Sequence, residues 1–96
     1  MTNDCEKAVP TVQIENDRVI VTQWVFSPGA ETTWHTHEYD YVVVPQTTGQ
    51  LLIESEAGES FAELKVGHSY SRQKGIKHNV VNNNDYPLTF IEIELK

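Results

Sequence analysis

Residues 29–45 read GAETTWHTHEYDYVVVP, and this stretch decides how the chain is interpreted. Tyr41 to Val44 is an aromatic and β-branched run that Pro45 closes, and nothing around it repeats with the 3.6-residue period of a helix. The residues from Thr33 to Val44 therefore predict one long strand. Side chains two apart on a strand point the same way. His35 and His37 then share a face, which an unbroken strand extends to Tyr41 while turning Asp40 outward. A second stretch, 67–82, reads GHSYSRQKGIKHNVVN and carries a third imidazole, His78. Three imidazoles converging from distant strands can surround one divalent metal. Such ligands suit iron, nickel, copper and zinc, and manganese where oxygen ligands assist.

Working outward, nearly all the periodicity is two-fold. Val12 and Ile14, then Val19 and Val21, alternate with polar neighbours across an Asn16-Asp17 turn. Ser27-Pro28-Gly29 breaks the run VIVTQWVF. Strands are expected at Gln50 to Glu56, Ser60 to Val66, Ser69 to Arg72 and His78 to Val81. The chain closes on FIEIELK, where Ile91, Ile93 and Leu95 alternate with Phe90, Glu92 and Glu94. The aliphatic set is expected inside, with Glu92 and Glu94 outside or at an interface. Many short strands with closely spaced turns indicate an all-β sandwich or barrel.

A length of 96 residues is one domain, 1–96, with residues 1–10 expected as a mobile or edge segment. A core this thin makes pairing with a second copy a natural source of stability. Seven basic against fourteen acidic side chains give a formal charge of −7, which disfavours nucleic acid and anionic membrane as partners. Cys5 is the single cysteine, so no disulfide forms within the chain and the thiol reads as incidental. No apolar leader and no run long enough to span a bilayer is present, and cytoplasm is the expected location.

Glycine spacing sharpens the reading. Gly29 precedes His35-x-His37 by five intervening residues. Gly67, Gly75, His78 and Asn82 follow with seven, two and three between them. Together these resemble the two signature motifs of the cupin superfamily, of the RmlC-like kind. With HTHEYDYVVVP, GIKHNV and FIEIELK, the chain looks like the small single-domain cupins associated with β-alanine degradation. The resemblance implies a small antiparallel cupin β-barrel, also described as a double-stranded β-helix or jelly roll. It implies a divalent metal, iron first with zinc, nickel or manganese as alternatives, held on His35, His37 and His78. The glutamate usual three or four residues past the second histidine is missing; Tyr41 and Val42 stand there. Asp40 is a fourth candidate ligand if a bulge turns it inward, and Tyr41 is a donor rather than a ligand. Gln73 replaces the usual proline and is expected near the cavity mouth.

Three histidines without a carboxylate leave coordination positions open, which favours chemistry over structure. Thiol dioxygenases are cupins of that kind. The leading expectation is a metal-dependent oxygenase acting on a small polar molecule, an amino-acid-like or thiol-bearing acid. Tyr41 would donate a hydrogen bond or proton, and Arg72 with Gln73 would anchor a carboxylate. The alternatives are a non-catalytic sensor or carrier that holds a metabolite, and a structural homodimer with a vacant site. Trp24 and Trp34 are expected to pack, His68 to lie at the surface, and Asn79 and Asn82 to steady the loop bearing His78.

Overall fold

Nine strands build two facing antiparallel sheets, and no helix occurs among residues 6–96, which the structure, a computed structural model, describes. They are β1 (Val9–Glu15), β2 (Val19–Phe26), β3 (His35–Thr36), β4 (Asp40–Pro45), β5 (Gly49–Ser55), β6 (Gly58–Leu64), β7 (Tyr70–Arg72), β8 (Lys77–Asn82) and β9 (Leu88–Leu95). One sheet has the order β1-β2-β9-β4-β7 and the other β3-β8-β5-β6. Neighbours in space are mostly distant in sequence, as in a jelly roll. Cys5 and the first half of the expected N-terminal segment lie outside the described residues. The rest of that segment leads into β1, an edge strand paired with β2.

The expected long strand is two strands in different sheets. β3 pairs with β8, whereas β4 pairs with β9 and β7. The crossing runs through His37, whose N–H donates to Ile76 O (2.9 Å) and whose carbonyl accepts from Gly75 N (2.8 Å). Gly75 sits at φ +93°, a conformation open to glycine and strained for other residues, and so turns its N–H toward His37. Backbone bonds that close a sheet-to-sheet corner leave no trace in side-chain alternation, so periodicity read through it.

The alternation of β9 is inverted relative to expectation. Leu88 and Phe90 face the core, and parity carries Glu92 and Glu94 onto that inner face. Register leaves no other choice: Leu88 lies opposite Phe26, Phe90 opposite Trp24 and Pro45, and Glu92 opposite Thr22 and Val43. Phe26 and Leu88 are fully buried, and Phe26 stacks on Phe90 with centroids 5.5 Å apart. Each such side chain contributes roughly 1.5–3 kcal/mol by leaving water. One buried carboxylate costs less than exposing that cluster. Ile91, Ile93 and Leu95 consequently face outward.

Asn82 ties the loops around this core together. It is fully buried, and its Nδ2 reaches the carbonyls of Phe26 (3.2 Å), Ser27 (3.3 Å) and Tyr86 (2.9 Å). Its Oδ1 accepts from the backbone N–H of Asn84 (3.0 Å). Among the described residues no helix is long and apolar enough to cross a membrane.

Candidate metal centre and cavity

His35 and His78 are direct cross-strand partners of the β3–β8 pair, so their side chains leave the sheet on the same side. His37 stands just beyond β3, held by its two backbone bonds to the β7–β8 turn. The three rings meet edge to face, with centroids 4.8–4.9 Å apart and interplanar angles of 76°, 72° and 87°. Nε2 of His37 lies 3.1 Å from Nε2 of His35 and 3.0 Å from Nε2 of His78.

These distances fit a shared cation. A metal about 2.1 Å from two nitrogens at roughly a right angle sets them about 3 Å apart. Proton accounting points the same way. Nδ1 of His35 lies 2.8 Å from the Thr33 carbonyl, which only accepts, so the proton sits on Nδ1 and Nε2 keeps its lone pair. Nε2 of His37 can carry one proton and cannot donate it to both neighbours at once. A cation at the focus satisfies all three lone pairs. Burial first, then the charges of neighbouring histidines, lowers His37 and His78 to about 4, so both are neutral at pH 7. Neutral imidazole is the ligand form.

Other predicted residues divide into those brought to the centre and those kept away. Tyr41 is buried, with its ring stacked on His37 at 3.9 Å and 20°. Burial, then the charge of Glu92, raises its pKa, so it remains a neutral donor. Asp40 is exposed, and its Oδ1 accepts from Lys74 N at 2.8 Å, outside the histidine cluster. No bulge turns it inward; β4 pairs regularly with β9 from Asp40 onward. Arg72 lies opposite Tyr41, with its guanidinium 4.4 Å above the Tyr70 ring and Nη1 donating to Ser71 O (2.8 Å). Gln73 is exposed and does not line the cavity, because it falls in the turn after β7 ends. Trp34 is exposed and faces away from the histidines, whereas Trp24 lines the cavity.

The histidines open into a cavity of about 270 Å³, just below the roughly 300–1,000 Å³ common for small-molecule sites. Its wall is largely apolar, from Val43, Leu51, Ile53, Val80 and Phe90, and its polar groups include Tyr41, Tyr70, Arg72 and Glu92 besides the hydroxyls of Thr32, Ser55 and Ser60. Glu92 is the residue that alternation misplaced. Burial first, then the charge of Glu94, raises its carboxyl to about 7, and the Trp24 indole opposes this weakly. Trp24 Nε1 is itself buried without a hydrogen-bond partner. Glu92 and Glu94 each offer an oxygen within 4.8 Å of a His37 nitrogen. The signal that could have placed Glu92 was the weight of Leu88 and Phe90, which set the parity of the whole strand. Asn79, expected to steady the segment bearing His78, donates to the carboxylates of Glu31 (2.6 Å) and Glu54 (2.8 Å) and so ties β8, the strand of His78, to its neighbours.

No protein-family model matches the chain. A β-alanine degradation protein, BauB, of Pseudomonas aeruginosa is 51% identical over 90 residues, covering 94% of this chain and 95% of that one. The crystal structure of a cupin domain from Bordetella pertussis Tohama I is 52% identical and covers 99% of both chains with a TM-score of 0.96. An RmlC-like cupin with a double-stranded β-helix fold from Methanocaldococcus jannaschii, 14% identical, covers 99% of this chain and 85% of that one at a TM-score of 0.77. This last likeness is one of fold.

Proposed function

The chain belongs to the cupin superfamily, and we propose that it is a metal-dependent oxygenase acting on a small amino-acid-like or thiol-bearing acid. The observation that carries this reading is the convergence of three imidazoles lining an apolar cavity, with Nε2 of His37 3.1 Å from that of His35 and 3.0 Å from that of His78. His35, His37 and His78 would hold the ion, iron first. When bound, it would supply open positions where a substrate heteroatom and O₂ meet. For a thiol-bearing acid the balanced outcome is R–SH + O₂ → R–SO₂H, with both oxygen atoms on sulfur.

The residues around the ion have separable tasks. Thr33 fixes the His35 tautomer through its carbonyl. Tyr41, kept neutral by burial, offers a hydrogen-bond donor beside His37. Arg72 at the mouth offers a bidentate partner for a substrate carboxylate. The apolar wall excludes water from the reacting atoms. The name of the Pseudomonas relative favours a small amino acid or its breakdown product as the occupant.

A homodimer is part of the proposal. Register aligns Ile14, Val21, Ile93 and Val42 in one row across the outer face of the larger sheet. Ile91, Val44, Val25 and Leu95 extend this apolar face, which a second copy would cover.

Oxygen consumption by iron-loaded protein, with a panel of small amino and thiol acids, tests the chemistry. Uptake matched by loss of one acid is expected. No uptake across the panel, with an acid that raises the melting temperature yet is never consumed, overturns the oxygenase in favour of a carrier.

A further inference from the structure

Glu92 is a carboxylate in the wrong place for a structural role. It projects from the middle of β9 into the cavity, is 9% exposed, and has no ion-pair partner among the described residues, the neighbouring Trp24 indole being a neutral donor. An unpaired buried acid is costly, and the usual remedies are a bound cation or a partner. The cavity is also lined by a cation, Arg72, which is exposed and forms no ion pair with Glu92. Its guanidinium lies over Tyr70 and donates to the Ser71 carbonyl. One acid and one base thus line the same small chamber without neutralising each other. That arrangement is complementary to a small molecule carrying both charges.

We propose that Glu92 is the counter-charge for the ammonium group of a zwitterionic substrate whose carboxylate meets Arg72. This rests on the reading of the cavity as a site for a small acid, and it adds the requirement for an amine. The surrounding groups suit an ammonium. Tyr41 and Tyr70 also line the chamber and carry hydroxyl oxygens that can accept; Val43 lies opposite Glu92 on β4, and Phe90 precedes it by two on the same face of β9. A bound metal would then be held by three imidazoles, with Glu92 spared for recognition. Nothing in the two histidine motifs reports this group; it follows from the parity of β9 alone.

Calorimetric titration of metal-loaded protein with 3-aminopropanoate, propanoate and propylamine tests the assignment. The amino acid should bind at least about tenfold tighter than either single-charge analogue. Glu92→Gln should lower its affinity by about tenfold or more while leaving propanoate within about twofold, and Glu92→Asp should recover part of the loss. Equal binding of 3-aminopropanoate and propanoate by the native protein overturns the amine requirement and leaves the small-acid reading standing. Failure of every acid probe overturns both. Loss of metal from Glu92→Gln by elemental analysis overturns the proposal by making Glu92 a ligand.

Discussion

The backbone carbonyl of Thr33 lies 2.8 Å from Nδ1 of His35, and Thr33 itself sits at φ 78°. A β-branched residue in the left-handed region is strained, and here the strain aims a carbonyl at an imidazole of the three-histidine cluster. The bond consumes the Nδ1 proton and leaves Nε2 as the free donor toward the focus of the three rings.

Replacing Thr33 by glycine should relieve that strain while keeping the carbonyl. Relief of about 1–3 kcal/mol, less the ~0.5–1 kcal/mol entropy cost of glycine, predicts a net gain near 1 kcal/mol. The melting temperature should rise by roughly 4–8 °C, with metal affinity unchanged. A fall in melting temperature would show that the Thr33 side chain does more than tolerate its backbone.

The Glu92 carboxyl, raised by burial to about 7 from 4.5, makes a specific pH signature. Because the folded pKa exceeds the unfolded one, the stability is fully present below pH 4.5 and is lost as pH rises through 7. The neutral isostere Glu92→Gln lacks this loss. In chelated protein its stability relative to wild type should rise by up to about 3 kcal/mol between pH 4.5 and 7.5. Denaturant melts of both proteins at each pH cancel the histidine contributions, and a flat difference contradicts the buried carboxyl.

Asn82→Ala should cost about 3 kcal/mol, because it leaves the Phe26 and Tyr86 carbonyls without their donor in a fully buried site. Urea unfolding measures this directly. A cost below ~1 kcal/mol would mean that water replaces the amide.

Ile93→Glu places a charge in the middle of the outer apolar row without touching the cavity. Sedimentation should show the native protein as a dimer and the variant as a folded monomer. Unchanged association would remove that face from the interface.

Much of this was legible in the chain, and the failures have clear causes. The histidine triad, the strands and most turns follow from spacing and alternation, since residues on regular strands obey strict parity. Asp40 and the Thr33–Val44 strand misled because backbone bonds from His37 to Ile76 and Gly75 bend the chain into the other sheet. Glu92 misled because polarity alone suggested an outward face. Packing of Leu88 and Phe90 against Phe26 and Trp24 set the phase instead. Gln73 misled because its turn lies past the end of β7, away from the chamber. Long-range register, not local composition, decided each case.

Elemental analysis of protein purified without chelator and then supplied with ferrous iron bears most directly on the three-imidazole centre. Wild type should hold about one divalent ion per chain, and His35→Ala and His78→Ala, each folded by circular dichroism, less than about a tenth of that. Wild type that binds none, or folded variants that keep a full equivalent, would contradict the account.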